Sequence, residues 1–257
     1  MIRGIVRTAV ALAALALIAG CGGDEGTTSE GPSQVLIFAV DAATWNVMTP
    51  MIEAGELPTI GRLVNEGTYG VLMSGEPIQS PQMWTSVATG MVPEKHGITR
   101  FTAEVPGTDR EVPVTSNMRL VKAFWNILSE HGVSVGIVGW WPSWPAEEVE
   151  GFMVAQRAWP VNWSLHGIPF GAARDERGRL RVEEFPGRTY PEDLYDEFVP
   201  YIITEEDVTV ADLDQLFSDS RFTDPRRQFH ARWVYAKDRT FAEAGLALFK
   251  EREPRVF

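Results

Sequence analysis

Two side chains, those of Asp41 and Ser80, have positions in the sequence from which they could act on a phosphate group. Asp41 directly follows an apolar run, and Ser80 precedes Pro81 at the start of a predicted helix. A hydroxyl at a helix N-terminus faces unpaired backbone N–H groups and the positive end of the helix dipole, where phosphate settles readily. Such a hydroxyl becomes a good nucleophile when a metal lowers its pKa. Each residue also has a plainer interpretation, Asp41 as a turn cap and Ser80 as a helix N-cap.

A strand and a helix must position these two groups. The run from Val35 to Val40 is apolar without alternation, which predicts a strand buried on both faces of a parallel sheet. Asp41 then lies at the carboxyl edge of the strand, where open α/β sheets bind ligands. A helix is predicted from Ser80 to Thr89, and Gly90 ends it.

The remaining chain alternates between predicted strands and helices, which indicates right-handed βαβ units and an α/β fold. Helices are predicted at 57–67, 119–131, 191–199, 211–217 and 228–252, and strands at 69–73, 133–138 and from 254 onward. Residues 159–185 are irregular and rich in Gly, Pro, Arg and Asp, so they are interpreted as an excursion over the sheet edge. The wider stretch 159–230 is predicted to be cap-like. Residues 35–257 are therefore predicted to form one α/β domain.

The order of these features resembles a known family. Asp41, Ser80 and the segment 84–98, which reads WTSVATGMVPEKHGI, are similar to the amino-terminal half of the alkaline phosphatase superfamily, in its type I phosphodiesterase/nucleotide pyrophosphatase branch. A weaker similarity extends through 139–145 and 189–194. The resemblance implies a three-layer αβα core around a largely parallel sheet, represented here by its amino-terminal part and incomplete at the carboxyl end.

The resemblance also implies roles for the two side chains. In the family, a strand-end Asp binds one of two divalent metals, usually zinc, which assigns Asp41 as a ligand. The nucleophile stands nine residues before the Thr of a Thr-Gly pair, which here selects Ser80, also as a metal ligand. The implied reaction is in-line attack on a small phosphate mono- or diester to give phospho-Ser80. Water activated by the second metal then hydrolyses phospho-Ser80.

Several residues depart from the family pattern. Phe101 stands where nucleotide-hydrolysing members have an Asn, which argues against nucleotide pyrophosphatase specificity. The family's further ligands are an Asp with His four residues later, an Asp-His pair and a carboxy-terminal His. None of them is found in this sequence, whose histidines are His96, His131, His166 and His230. Because zinc needs about four ligands, full metal occupancy is in doubt. The alternative function is therefore a truncated, catalytically inactive lipoprotein.

Two further features have structural and functional interpretations side by side. His96, taken alone, is more often a structural hydrogen-bonding residue than a ligand. The Trp-rich segment 139–145 could be a substrate platform, but an aromatic-packed strand end is favoured. Sulfate-ester hydrolysis is disfavoured because the Cys that forms formylglycine in sulfatases is absent.

The first residues are typical of an exported protein. Residues 1–20 combine Arg3 and Arg7 with a short apolar run, as in a signal peptide, and the run is too short to span a bilayer comfortably. The sequence LIAGC ends at Cys21, the only Cys in the chain, and resembles the lipobox of bacterial lipoproteins. The resemblance implies a lipid on Cys21, a membrane as partner, and a domain facing the periplasm or cell exterior. Residues 21–34 are predicted to be a flexible tether.

The charge of the chain excludes one class of partner. The formal net charge is −12, and removal of a signal peptide carrying two of the 23 basic residues lowers it to −14. A strongly acidic balance argues against nucleic acid. Any phosphate site must then draw its positive charge from a few local sources. The oligomeric state is left open by the sequence.

Overall fold

A computed structural model describes residues 33–76, 78–159, 172–174, 180–182, 186–216 and 225–257. The predicted signal peptide, the lipid site at Cys21, nearly all of the tether and most of the irregular stretch 159–185 lie outside the described residues. Gln34–Phe257 is one of two compact units of the chain and is the one described below. Within the described part, no helix is long and apolar enough to cross a bilayer.

Helices and strands alternate along the described chain. The helices are α1 Trp45–Glu53, α2 Pro58–Glu66, α3 Ser80–Thr89, α4 Pro93–His96, α5 Phe124–Glu130, α6 Leu194–Phe198, α7 Val210–Leu216 and α8 Pro225–Arg252. The strands are β1 Thr102–Glu104, β2 Glu111–Pro113, β3 Val135–Val138, β4 Gly151–Val154, β5 Ala172–Arg174, β6 Leu180–Val182 and β7 Thr189–Tyr190. Short 3₁₀ turns lie at Ser116–Met118 and Val199–Tyr201.

The central sheet is largely parallel, as predicted. Strand β3 pairs in parallel with β4, and β4 pairs antiparallel with β7. Val256 forms parallel bridges with both Val35 and Val135, so it lies between them. The sheet order is therefore residues 35–37, residues 255–257, β3, β4 and β7. Two antiparallel hairpins, β1–β2 and β5–β6, form separate small sheets.

Helices cover both faces of this sheet and make three layers. Successive side chains of a strand point to opposite faces. Phe152 and Val154 accordingly pack into a core with α6 and α8, whereas Met153 packs on the other face with Val135, Ala88 of α3 and Trp125 of α5. The α/β fold class predicted from the sequence is thus confirmed.

Two predicted strands differ from the expectation. Residues 35–40 contain one β-bridge, at Val35, and are not buried on both faces, since Leu36 is 60% exposed and Phe38 is 79% exposed. Backbone hydrogen bonds join Val35 and Ile37 to the 255–257 segment. Residues 69–73 form no strand, and their large side chains are exposed, with Leu72 at 85%. The prediction that residues 35–40 are buried on both faces and the prediction of a strand at 69–73 were both wrong, because apolar composition alone does not say which element packs against a segment.

The helix predicted at 119–131 begins later than expected, at Phe124. The Arg119 side chain binds the Val121 carbonyl and the Glu147 carboxylate instead of continuing a helical turn. The Asn126 side chain then accepts a hydrogen bond from the Ala123 N–H and starts the helix there. A side-chain network therefore overrides the helical spacing of the apolar residues.

The helix signals carried by Pro and Gly are confirmed. Helix α2 has Pro58 in its first turn and ends at Gly67, and α3 has Pro81 in its first turn and ends at Gly90. Gly90 adopts a left-handed φ of 65°, a conformation that glycine reaches without steric cost. The register of α3 is thereby fixed, and Ser80 becomes its first residue.

Candidate active site

Asp41 and Ser80 meet in the structure, although 39 residues separate them. The Ser80 hydroxyl donates a hydrogen bond to Asp41 Oδ2 at 3.1 Å. The other carboxylate oxygen, Oδ1, accepts the N–H of Ala42 at 3.0 Å and so fixes the turn after the strand segment. Asp41 is exposed and Ser80 is half-buried, which leaves the pair open to a ligand. The roles of nucleophile and metal ligand stay predictions for these residues.

Helix α3 presents Ser80 without using its side chain as a cap. The residue that caps the helix is Gln79, in extended conformation, and its side chain makes no capping hydrogen bond. The plainer interpretation of Ser80 as the N-cap is therefore wrong. Thr85 anchors the helix start from below, because its buried hydroxyl donates to the Pro81 carbonyl at 2.6 Å. Ser80 is therefore the first residue of the helix, and its hydroxyl lies at the amino end of α3.

His96 has a structural arrangement. Its side chain is fully buried, Nδ1 accepts the Ile98 N–H at 3.1 Å, and Nε2 lies 3.0 Å from the Ser86 hydroxyl. Burial lowers the pKa of His96, which favours a neutral ring with its proton on Nε2, donated to Ser86. The imidazole therefore joins α3 to α4, and neither ring nitrogen is left for a metal.

The Trp-rich segment packs the end of β3 against α3. Trp140 makes edge contacts with the rings of Trp84, Phe124 and Trp125, and its Nε1–H donates to the Trp84 carbonyl at 3.2 Å. Trp84 lies four residues after Ser80, so these rings hold the helix that presents the hydroxyl. This is the packed strand end favoured by the sequence.

Phe101 occupies the position where an Asn was expected for nucleotide hydrolysis. Its ring packs edge to face against Trp141 with centroids 5.2 Å apart, and the side chain is 46% exposed. An aromatic ring offers no amide to a phosphate oxygen. Its open side offers an apolar surface instead.

Lys237 is a charged residue near this site that the sequence analysis missed. Burial lowers the pKa of its ammonium group, and the carboxylates of Asp238 and Asp41 oppose that shift. The side chain lies over the ring of Trp233, 5.5 Å from its centroid. A detectable signal was present in the sequence: Trp233, Lys237 and Phe241 recur every four residues, which places one cation on an aromatic stripe of α8.

The described residues do not make up a metal site. They contain no group of three or more His, Cys, Asp or Glu side chains that could hold an ion. Asp41 and Ser80 offer two oxygen ligands, whereas a zinc ion takes about four. A metal bound here needs ligands beyond the ones this part of the chain brings together.

The fold and the site define the class of the protein: an α/β protein with a hydroxyl and a carboxylate at the carboxyl edge of a largely parallel sheet. The chain belongs to the type I phosphodiesterase / nucleotide pyrophosphatase family, whose match covers residues 35–244 and thus Asp41, Ser80 and Lys237. This membership agrees with the alkaline phosphatase superfamily. No curated protein and no solved structure matches the chain.

Family membership supports a phosphoric ester hydrolase at the level of reaction class. The family acts on small phosphate-ester or nucleotide substrates and is generally dependent on divalent metals.

Proposed function

We propose that the chain hydrolyses a small phosphate mono- or diester with Ser80 as the nucleophile. The observation that carries the proposal is the hydrogen bond from Ser80 Oγ to Asp41 Oδ2 at the start of α3. The carboxylate fixes the direction of the hydroxyl proton and so orients a lone pair of Oγ away from itself. The amino end of α3, where the helix dipole is positive, favours negative charge on phosphate oxygens beside that lone pair.

The proposed reaction has two steps. In the first, Ser80 Oγ gives up its proton and forms a bond to phosphorus, the bond from phosphorus to the leaving oxygen breaks, and the leaving oxygen takes up a proton to become an alcohol. In the second, water attacks phosphorus and the Ser80 oxygen leaves, which returns the hydroxyl and releases phosphate or a phosphate monoester. A covalent phospho-Ser80 therefore links the two steps.

The metal requirement of the family extends to this chain as part of the proposal, with zinc as the first candidate. Asp41 and Ser80 supply two oxygen ligands, and the described residues do not complete the set. No step of the reaction is therefore assigned to the ion. Zinc content of the purified protein tests this part directly.

The proposed substrate is a small ester other than a nucleotide. Phe101 stands where nucleotide-hydrolysing members of the family have an Asn, and its ring, packed edge to face on Trp141, offers no amide to a phosphate oxygen. The formal charge of −12 argues against nucleic acid as a substrate.

The location of the protein is also a proposal. A lipid on Cys21, the only Cys in the chain, would anchor the domain to a bacterial membrane, facing the periplasm or the cell exterior. Incorporation of labelled palmitate into the wild type but not into Cys21→Ala would support the anchor. Equal labelling of both proteins would contradict it.

Hydrolysis of p-nitrophenyl phosphate and bis-p-nitrophenyl phosphate by the full chain in detergent tests the reaction. We expect Ser80→Ala to abolish turnover, whereas Ser74→Ala, which removes an exposed hydroxyl, leaves it unchanged. Trapping of phospho-Ser80 by acid quench and mass spectrometry identifies the intermediate. Turnover that persists in Ser80→Ala would overturn the assignment, and no turnover in the wild type would favour the inactive lipoprotein.

A further inference from the structure

The long helix α8 carries Lys237 to the edge of the sheet where Asp41 lies. Gly245 of α8 faces Val138 near the end of β3, and Phe241 contacts Gly139, the residue that follows β3. The helix therefore runs against the direction of β3, and each turn back along its sequence moves about 5.4 Å toward the carboxyl edge. Lys237 comes one turn before Phe241 and so lies beyond the strand ends.

Asp41 shares this edge because the strand segments are parallel. Val35 and Val135 both pair in parallel with Val256, so the segment that leads into Asp41 has the same direction as β3. Asp41, four residues after the paired Ile37, and Gly139, the residue after β3, consequently follow their strand segments toward the same side of the sheet. The influence of the Asp41 carboxylate on the Lys237 ammonium is the electrostatic consequence of this placement.

The surroundings of Lys237 strengthen its charge as a binding group. The side chain is half-buried and its ammonium lies over the Trp233 ring, which limits the water around the charge. A charge with less water around it interacts more strongly with an anion. Because the chain has a formal charge of −12, a partly buried cation such as Lys237 attracts a phosphate anion more strongly than an exposed cation would.

We propose that Lys237 holds a phosphate oxygen of the ligand at the Asp41–Ser80 pair. This inference rests on the proposed function and adds the source of positive charge that a phosphate group needs beside a carboxylate. Lys suits the role because its ammonium is a compact charge with three N–H donors. Without a ligand, the same ammonium offsets the charge of Asp41.

Binding of inorganic phosphate by the full chain, measured by isothermal titration calorimetry, tests the inference. We expect Lys237→Met, which keeps an unbranched side chain without the charge, to weaken phosphate binding about tenfold or more, since hydrogen bonds between charged groups are among the stronger ones. Lys237→Arg should recover most of the affinity, because it restores the charge. The control is Lys122→Met, which removes an exposed cation paired with Glu130 and should bind as the wild type does.

The outcomes separate this inference from the proposed function. Equal phosphate affinity in the wild type and Lys237→Met, with turnover still dependent on Ser80, would overturn the role of Lys237 alone. A wild type that neither binds phosphate nor hydrolyses the two esters would overturn both. Should Lys237→Met fail to fold by circular dichroism, Lys237→Gln is measured against Lys237→Arg with the same criterion. A purely structural lysine would change the melting temperature without changing the phosphate affinity of the folded variants.

Discussion

The imidazole of His96 joins α3 to α4 by hydrogen bonds that require its neutral form. Its Nδ1 accepts from the Ile98 N–H and its Nε2 faces the Ser86 hydroxyl in a fully buried position. Protonation would place a second proton on Nδ1, where the Ile98 N–H already points. The neutral ring is therefore the form that the folded state requires.

Stability should fall on mild acidification because of His96. The pKa of His96 in the folded state lies below its ordinary value of 6.5, mainly because of burial. The unfolded chain then binds the proton first, so the contribution of His96 is complete above about pH 6.5 and is lost as the pH falls below that value. We expect the melting temperature to decrease between pH 7.5 and 5.5, and this decrease to shrink in His96→Asn. His131→Gln, which changes an exposed ring, should retain the full decrease; the same loss of pH dependence in both variants would contradict the assignment.

The sequence predicted Asp41 and Ser80 as site residues, but it did not predict the positive charge of Lys237 beside them. Ser80 could be placed because Pro81 and Gly90 are local helix signals, and Asp41 because it directly follows the apolar run. Their hydrogen bond follows from the sheet edge that both elements share. Lys237 was not predicted as a site residue because its position at that edge depends on the packing of α8 against Gly139, which no local pattern encodes.

At the scale of elements, a partly buried ion pair holds the chain that leads into α5. Arg119 contacts Glu147 through two nitrogens, at 2.7 Å and 3.1 Å, and also binds Asn126. The Glu147 carboxylate additionally accepts hydrogen bonds from Trp125 and Asn126. This network fixes the start of α5 relative to the segment between β3 and β4.

Loss of Arg119 should therefore destabilise the fold much more than loss of an exposed cation. Removing one partner leaves the Glu147 charge partly buried, and the cost is about 3 kcal/mol in the free energy of unfolding. We expect this for Arg119→Ala in urea denaturation. Lys122→Ala, which breaks the exposed pair with Glu130, should cost below about 1 kcal/mol. Equal costs for the two variants would mean that the network contributes no more than a surface contact.

The pairing of β3 with β4 depends on a glycine. Gly151 has a φ of 126°, and a Cβ added there would lie 2.1 Å from the Val135 carbonyl oxygen. We expect Gly151→Ala to lower the free energy of unfolding by about 2 kcal/mol or more, because the strands must move apart. Gly75→Ala adds a methyl group in open space and should change it by no more than about 0.5 kcal/mol. Urea denaturation of both variants would contradict this if Gly151→Ala unfolded with the wild type.

Elements with local signals were predicted from the sequence, and those that need distant partners were not. Helices α2 and α3 follow their Pro and Gly residues. The exposed segments 35–40 and 69–73 have the composition of buried strands, yet burial depends on whether another element packs on them. Composition indicates that a segment can be buried, but it does not indicate which element packs against that segment.

At the scale of the whole molecule, those two segments give the domain exposed apolar surface. Phe38 and Leu72 are 79% and 85% exposed. Such surface binds hydrophobic dyes and promotes association. We expect Phe38→Ser to reduce 1-anilinonaphthalene-8-sulfonate fluorescence at little cost in stability, because the ring buries little area. Leu246→Ser on α8 removes an exposed side chain outside these two segments and should leave the fluorescence unchanged; unchanged fluorescence in Phe38→Ser would show that the dye binds elsewhere.

The insertion of Val256 between Val35 and Val135 has a consequence for how fast the domain can form. The Gln34 side chain binds the Pro254 carbonyl 220 residues away, and the Arg255 N–H binds Ser134 across 121 residues. Contacts of such sequence separation require large loops to close before they contribute, which slows folding. Strands β3 and β4 can pair early, because they are close in sequence. The segment that leads into Asp41 must wait for residues 255–257 to dock, so the geometry at Ser80 should be among the last features to mature during refolding.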